Sequence, residues 1–222
     1  MTPRVIAIDG PAASGKSTTA AAVARELGAL HLDSGALYRG LTAVALELPG
    51  SEAGVILGAA EARGLALRQA GEEIIPYLDG RPAEDRIRAP EVTRFVSEIS
   101  ALPAIREWVN ARLREAVSQQ TLVVMDGRDI GTAVFSDAPV KVFLTATPEA
   151  RARRRLLQRG DRPSQAEIVS EAAALAERDR KDTARSVAPL RQASGATRLD
   201  TTSLSFEEQV GEIVRLARAS LP

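Results

Sequence analysis

A glycine-rich segment near the start of the chain constrains the fold more than any other feature. Residues 10–17 read GPAASGKS and fit the pattern G-x-x-x-x-G-K-[ST] at every fixed position. An apolar run, residues 5–8, precedes the segment, and an alanine-rich stretch, residues 18–27, follows it. This context predicts a buried strand, a phosphate-binding loop and a helix whose N-terminus faces a nucleotide phosphate.

The residues of this loop have the chemistry that phosphate binding needs. Gly10 and Gly15 allow the backbone to approach a ligand closely, and Lys16 carries a mobile positive charge. Ser17 offers a hydroxyl group to Mg²⁺. The loop therefore predicts a nucleoside triphosphate site, but it does not say where the phosphoryl group goes next.

Composition excludes several other classes of function. The net charge of 0, with 26% charged residues, disfavours a nucleic acid or a membrane surface as the partner. The chain has no cysteine, which excludes disulfides and thiolate metal sites, and its single histidine, His31, suggests a structural role. No apolar run approaches the roughly 20 residues of a membrane span, and no signal-peptide pattern is present. We expect a cytoplasmic protein.

The order of patterns predicts an α/β fold of the P-loop NTPase type, with three layers and a parallel sheet covered on both faces. At 222 residues the chain suits a single domain, residues 1–222. Predicted strands alternate with predicted helices, the strands covering residues 4–9, 29–32, 121–126, 140–146 and 198–200. Residues 64–88 break this alternation: two short strand-like segments and the turn Asp79-Gly80 predict a small antiparallel insertion.

Two turns follow predicted strands at the edge where such folds bind ligands. In the segment from Asp33 to Arg39, Ser34 either caps the next helix or belongs, with Arg39, to a second anion site. Asp126, which ends an apolar strand, resembles a Walker B acid that positions Mg²⁺, although an Asp-Gly turn is the simpler alternative.

Two arginine-rich stretches occur in the second half of the chain. Each is either a set of solvated salt bridges or a source of charge for a transferring phosphoryl group. The first contains Arg151, Arg153, Arg154 and Arg155, and the second contains Arg178, Asp182 and Arg185, spaced to share one helix face.

Six segments together resemble the nucleoside monophosphate kinases, and most closely the bacterial-type cytidylate kinase family. They are IAIDGPAASGKST, LDSGALYR, DGRDIGT, APVKVFL, ERDRKDTARSVAPL and LDTTSLS, in this order from about residue 6 to residue 205. The resemblance implies the transfer of a phosphoryl group from ATP to CMP or dCMP, with Mg²⁺, by a monomer. It also implies a monophosphate-binding region at residues 36–100, which holds the 64–88 insertion, and a short lid at residues 151–163.

The resemblance also implies which residues form the site. The ATP phosphates would be bound by Gly10, Pro11, Ala12, Ala13, Ser14, Gly15, Lys16, Ser17 and Thr18. CMP would be bound by Ser34, Tyr38, Arg39, Ser97, Arg106, Gly127, Arg128, Asp129, Arg178, Asp182 and Arg185. The catalytic set would be Lys16, Arg128, Arg154 and Arg155, with Ser17 on the metal.

Within this set the resemblance implies a division of roles. Ser97, Arg178 and Asp182 would read the cytosine edge, whereas Arg39, Arg106 and Arg128 would hold the acceptor phosphate. Three alternatives remain at this stage: a kinase for UMP or AMP, a kinase for a metabolite such as shikimate, and a P-loop switch protein that hydrolyses its nucleotide slowly.

Overall fold

The computed structural model describes residues 4–158, 160 and 162–221. Its strands are β1 Arg4–Asp9, β2 Leu30–Asp33, β3 Ala66–Ala70, β4 Glu73–Leu78, β5 Arg81–Pro82, β6 Leu122–Gly127, β7 Val140–Thr145 and β8 Thr197–Asp200. Its helices are α1 Lys16–Leu27, α2 Gly35–Ala45, α3 Ala53–Ala62, α4 Glu84–Ile87, α5 Pro90–Ile99, α6 Pro103–Val117, α7 Pro148–Gln158, α8 Gln165–Thr183 and α9 Phe206–Ser220, with one π-helical turn at Ile130–Val134.

One sheet in the order β3-β4-β2-β6-β1-β7-β8 forms the middle layer, and β5 pairs with β4. The strands from β4 to β8 in this order run parallel, whereas the β3–β4 and β4–β5 pairs are antiparallel. The α/β prediction is therefore confirmed. The antiparallel insertion is also present, and its strand β4 continues the central sheet beside β2.

Successive side chains of β1 point to opposite faces of the sheet, and different helices cover the two faces. Val5 and Ala7 face a buried cluster with α2 and α6, whereas Ile6 and Ile8 face a second cluster with α1 and α9. These two clusters make the three layers. No helix in the part of the chain that the structure describes combines the length and the apolar character needed to cross a membrane.

One expected helix cap is not formed as the sequence suggests. Ser34 lies at the N-cap position of α2, but its side chain does not cap the helix, because its hydroxyl donates to the carbonyl oxygen of Asp126 at 2.8 Å. Instead Asp33 Oδ1 accepts from the Gly35 N–H group at 2.8 Å. The capping alternative for Ser34 is therefore wrong.

The parallel register brings the site residues to one edge. Asp33 lies opposite Asp126 in the β2–β6 pair, and Asp9 lies opposite Gly127 in the β1–β6 pair. The carboxyl ends of β1, β2 and β6 therefore meet at the edge where the phosphate-binding loop begins. This is the usual ligand-binding edge of an open parallel sheet.

Asp9 fixes the π-helical turn that follows β6. Its buried carboxylate accepts from the Ile130 and Gly131 N–H groups, both at 2.8 Å. Burial nevertheless raises the pKa of Asp9 from 3.8 to about 6, because these two hydrogen bonds only partly replace the lost hydration. The folded protein thus holds the Asp9 proton more tightly than the unfolded chain does.

We predict that ionisation of Asp9 costs stability as the pH rises. The contribution of the protonated form is fully present below pH 3.8 and is lost as the pH rises through about 6. The loss amounts to at most about 3 kcal/mol, since one pKa unit corresponds to about 1.4 kcal/mol. Urea unfolding of the parent and of Asp9→Asn between pH 4 and pH 7 measures it. The parent should lose stability relative to the variant, and parallel curves would contradict the prediction.

Candidate active site

The phosphate-binding loop lies between β1 and α1, as the sequence predicts. Gly10 has φ +155°, and a methyl group there would lie 2.0 Å from the carbonyl oxygen of Leu144, so the loop starts where only glycine fits. Gly15 has φ +87° and is the N-cap of α1, which has no side-chain cap. The first N–H groups of α1 are therefore left for an anionic ligand.

Lys16 is buried inside this loop. Its ammonium group donates to the carbonyl oxygen of Pro11 at 2.7 Å and contacts Ser14 Oγ at 3.4 Å. Burial, reinforced by the positive charge of Arg128, lowers the pKa of Lys16 to about 7. A triphosphate would supply the negative charge that this buried ammonium group lacks.

The Asp126 carboxylate links the loop to the neighbouring strand. Its Oδ2 accepts from the Ser17 hydroxyl at 2.6 Å, and its Oδ1 accepts from His31 Nε2 at 2.9 Å. The predicted Walker B acid thus lies beside the predicted metal ligand.

His31 is a residue whose place in the site the sequence analysis missed. Side chains along a strand alternate between the two faces, so His31 and Asp33 of β2 lie on the same face. In the β2–β6 register Asp33 lies opposite Asp126. This alternation is the sequence signal that could have placed His31 near the site. It gives no hint of the hydrogen bond itself, which depends on how the strands align.

Oxygen atoms suited to Mg²⁺ lie beside the phosphate-binding loop. Mg²⁺ is commonly held by one or two protein oxygens together with substrate phosphates and water. Ser17 and Asp126 fit that pattern. No group of three or more acidic or histidine side chains that could hold a metal alone occurs in the described ranges.

Two arginine–carboxylate pairs are buried on the acceptor side of the loop. Arg106 pairs with Asp129, and its Nη1 donates to the Ser100 carbonyl oxygen at 2.9 Å. Asp182 accepts from Arg185 at 2.6 Å and from Arg128 Nε at 3.1 Å. The Arg106 and Asp129 charges cancel each other in a buried place.

Other cations near the loop lack such compensation. Arg178 Nε is buried without a hydrogen-bond partner, and no carboxylate within the described ranges forms an ion pair with Arg178. Burial, with Arg128 and Arg39 nearby, lowers the pKa of Arg178 to about 9. Within the described part of the chain, Arg39 donates only to the Thr93 hydroxyl, at 2.9 Å. Arg128, Arg178 and Lys16 lie within electrostatic reach of one another, so this group attracts an anion.

The remaining predicted acceptor residues lie around these groups. The Tyr38 ring lies 5.3 Å from the Arg106 guanidinium, and its hydroxyl is buried without a partner. Gly127 leaves no room for a side chain, since a methyl group there would lie 2.5 Å from Ser34 Oγ. Ser97 lies on α5, where its carbonyl oxygen accepts from the Ser100 hydroxyl.

The predicted lid arginines bind protein groups in this structure. Arg154 donates to the Thr201 hydroxyl at 3.0 Å, and Arg155 pairs with Glu171 at 3.1 Å. Arg151 is buried and donates to the carbonyl oxygen of Ala12 at 2.8 Å, so it binds the backbone of the loop directly. Within the predicted lid, residues 159 and 161 lie outside the described residues.

Two sets of groups suited to anions thus lie at one sheet edge: the loop with the start of α1, and the arginines Arg39, Arg128 and Arg178. This arrangement defines an enzyme of the P-loop kinase class, which moves a phosphoryl group from a nucleoside triphosphate to a second substrate.

The family follows from comparison with known sequences. The family model "Cytidylate kinase" matches residues 6–219. A cytidylate kinase of Desulfitobacterium hafniense is 44% identical over 216 residues, covering 95% of this chain and 91% of that protein. One of Limosilactobacillus fermentum is 40% identical over 210 residues, covering 94% and 92%. The chain belongs to the cytidylate kinase family.

A longer relative also matches. A bifunctional pantoate ligase/cytidylate kinase of Synechococcus sp. is 44% identical over an alignment of 224 positions, which covers 98% of this chain and 43% of that protein. The chain therefore spans somewhat less than half of that relative. The identification as a nucleoside monophosphate kinase of this family is confirmed, whereas the role of each site residue stays a prediction.

We predict that Gly10→Ala disrupts the donor site, because the added methyl group would collide with the backbone at Leu144. ATP affinity should fall at least tenfold and stability by about 2 kcal/mol or more, a typical cost of overpacking. ATP titration and urea unfolding measure both. The matched control is Gly211→Ala on α9, where a methyl group meets nothing within 4 Å; it should keep ATP binding. Unchanged ATP affinity in Gly10→Ala would contradict the prediction.

Proposed function

We propose that the chain transfers the γ-phosphoryl group of ATP to CMP and dCMP, giving ADP and CDP or dCDP. Its family supports this reaction. The observation that carries it is the group of uncompensated arginines beside the loop, because a nucleotide switch would need no second anion site. The acceptor is a phosphate that is already anionic at pH 7, so positioning and charge neutralisation do most of the chemistry.

The donor nucleotide binds through residues 10–18. The free N–H groups at the start of α1 receive the phosphates, and Lys16 moves from the Pro11 carbonyl oxygen to the β- and γ-phosphates. Ser17 would hold Mg²⁺ directly, and Asp126 would hold it directly or through water. When bound, the ion would neutralise charge on the phosphates during transfer.

The acceptor phosphate binds to Arg39 and Arg178, which have no carboxylate partner among the described residues, and to Arg128, which shares the Asp182 carboxylate with Arg185. Burial, together with repulsion from Arg128 and Arg39, lowers the pKa of Arg178, and a bound dianion would offset both effects. Arg106 suits this role less well than Arg178, because Asp129 neutralises its charge and the Ser100 carbonyl oxygen accepts a second bond, which leaves only its buried Nε without a partner among the described residues. The roles that the sequence suggests for Arg106 and Arg178 are therefore exchanged in our proposal.

The neutral pairs suit the base and the sugar. Asp129 is held by Arg106, and its carboxylate is able to accept from the exocyclic amine of cytosine, where uracil presents an oxygen. Asp182, Arg185 and Ser97 complete this part of the acceptor site. The buried hydroxyl of Tyr38 has no hydrogen-bond partner among the described residues, and a bound acceptor would supply one.

Arg154 and Arg155 act after a rearrangement of the predicted lid, residues 151–163. Both have protein partners in this structure, Thr201 and Glu171, and would exchange them for phosphate oxygens as the site closes and excludes water. We also propose that the enzyme works with Mg²⁺ as a cytoplasmic monomer without nucleic acid partners, on the strength of its composition and the family resemblance.

The first test is Lys16→Ala. Turnover should fall at least a thousandfold, because the β- and γ-phosphates lose their main cation, while CMP affinity should change less than threefold. Coupled ADP-release assays and calorimetric CMP titration measure the two effects. Arg215→Ala, which removes an exposed cation paired with Glu212 on α9, is the control and should keep full activity. An equal loss of CMP binding in Lys16→Ala would count against the assignment.

The second test separates base from phosphate recognition in an ADP-release panel of CMP, dCMP, UMP, dUMP and AMP. The parent enzyme should prefer CMP and dCMP. Asp129→Asn should lower the ratio of kcat/KM for CMP to that for UMP at least tenfold, because an amide also donates to uracil. Arg178→Ala should lower kcat/KM for every acceptor by a similar factor.

The same panel contains the outcomes that would refute the proposal. If no monophosphate accelerated ADP release, the kinase assignment would fail in favour of a slow nucleotide hydrolase. A preference for UMP or AMP in the parent would replace the proposed acceptor. If Arg178→Ala changed the base preference and Asp129→Asn did not, the exchange of roles would be wrong.

A further inference from the structure

The peptide groups of Ala12, in the middle of the phosphate-binding loop, are bound on both sides by one ion pair. The Ala12 N–H group donates to Asp179 Oδ1 at 2.8 Å, and the Ala12 carbonyl oxygen accepts from Arg151 Nη1 at 2.8 Å. Arg151 Nη1 also donates to Asp179 Oδ2 at 2.6 Å. The three residues form a closed ring, which we call the Ala12 bracket. Asp179 has no role in the site described so far.

The bracket is anchored in α7 and α8 and not in the elements that flank the loop. Arg151 lies on α7 and donates a further bond from Nε to the Ala146 carbonyl oxygen at 3.1 Å. Asp179 lies on α8. Ala12 is 1% exposed and belongs to a small apolar cluster that includes Ala152, Leu156, Ile168, Ala172 and Leu175. The middle of the loop, at Ala12, thus packs against α7 and α8.

The peptides next to the bracket determine the shape of the donor site. The Pro11 carbonyl oxygen accepts from Lys16 Nζ, so the peptide between Pro11 and Ala12 sets where the ammonium group rests. Ala13 has φ +56°, a left-handed conformation that costs free energy in a residue with a side chain. A strained backbone of this kind persists only where its neighbours fix it, and the bracket fixes the peptide groups directly before it.

We propose that Arg151 and Asp179 are positioning residues, which hold the Ala12 peptides so that the loop is preshaped for the triphosphate of ATP. The proposal rests on the ATP-dependent function stated above. Asp179 acts through hydrogen bonds and through the buried charge of Arg151, and it does not itself contact the nucleotide. Removing one partner leaves the other charge buried and unpaired, which is costly and displaces the loop.

The bracket predicts an effect on one substrate only. The Ala12 bracket touches the donor side, whereas CMP would be bound by Arg39, Arg128 and Arg178. Loss of the bracket should therefore weaken ATP binding and leave CMP binding intact. An ion pair that merely stabilised α7 against α8 would lower the melting temperature without changing the ratio of the two affinities.

The experiment compares Asp179→Ala, Asp179→Asn and the control Glu177→Ala. Glu177 pairs with Arg180 on the exposed face of the same helix, at 2.7 Å, so the control removes an ion pair that does not reach the loop. ATP and CMP affinities are measured separately by calorimetry, the ATP affinity both with and without Mg²⁺. Thermal unfolding and steady-state kinetics are measured on the same preparations.

Asp179→Ala should weaken ATP binding at least tenfold with or without Mg²⁺, raise KM for ATP and change CMP affinity less than twofold. Asp179→Asn should lie between this variant and the parent, because its amide oxygen still accepts from the Ala12 N–H group but carries no charge for Arg151. Glu177→Ala should match the parent in both affinities. If Asp179→Ala fails to fold, Asp179→Asn and Arg151→Lys provide the same comparison.

Two results would overturn the proposal: unchanged ATP affinity in folded Asp179 variants, or equal losses of ATP and CMP affinity. The parent enzyme is assayed with CMP first. A parent that binds ATP but does not phosphorylate CMP would refute the proposed function, whereas the calorimetric ATP comparison would still decide the role of the bracket.

Discussion

The geometry of the site depends on the hydrogen bonds that Asp126 accepts. One oxygen accepts from Ser17 on α1 and the other from His31 on β2, while the backbone oxygen of Asp126 accepts from Ser34 before α2. These groups come from three separate elements, and Asp126 brings all of them to the end of β6. The parallel register of β1, β2 and β6 makes this convergence inevitable once the sheet forms. Each buried acceptor on Asp126 is thereby matched by a donor, as buried polar groups require.

Charge compensation divides the arginines of the site into two kinds. Arg106 is neutralised by Asp129 in a place that is almost fully buried, so it adds little net field. Arg178 has no such partner among the residues that the structure describes, and its lowered pKa reflects the cost of burying a cation there. Such a cost in stability is typical of functional sites, where a bound ligand offsets it. Phosphoryl transfer needs cations fixed around the transferring group, because they stabilise its negative charge. The division follows from partners, which cannot be read from the residue type.

The parts of the site that could be predicted from sequence are those whose spacing has a local cause. The loop GPAASGKS needs glycine where the backbone approaches Leu144 and where α1 begins, and the apolar run before Asp126 has the pattern of a buried strand. The hairpin around Asp79-Gly80 likewise follows from turn chemistry. The Ala12 bracket could not be predicted, because Arg151 and Asp179 are 139 and 167 residues away from Ala12.

The sequence alone therefore determined the class of fold, the phosphate-binding loop and the family resemblance, because each is encoded in neighbouring residues. Only the tertiary structure decided which arginines are neutralised, that His31 is a partner of Asp126, and that Arg151 binds the backbone of the loop at Ala12. These properties depend on distances between elements that are remote in the chain. Strand register and helix packing set those distances, and no local pattern of residues records them.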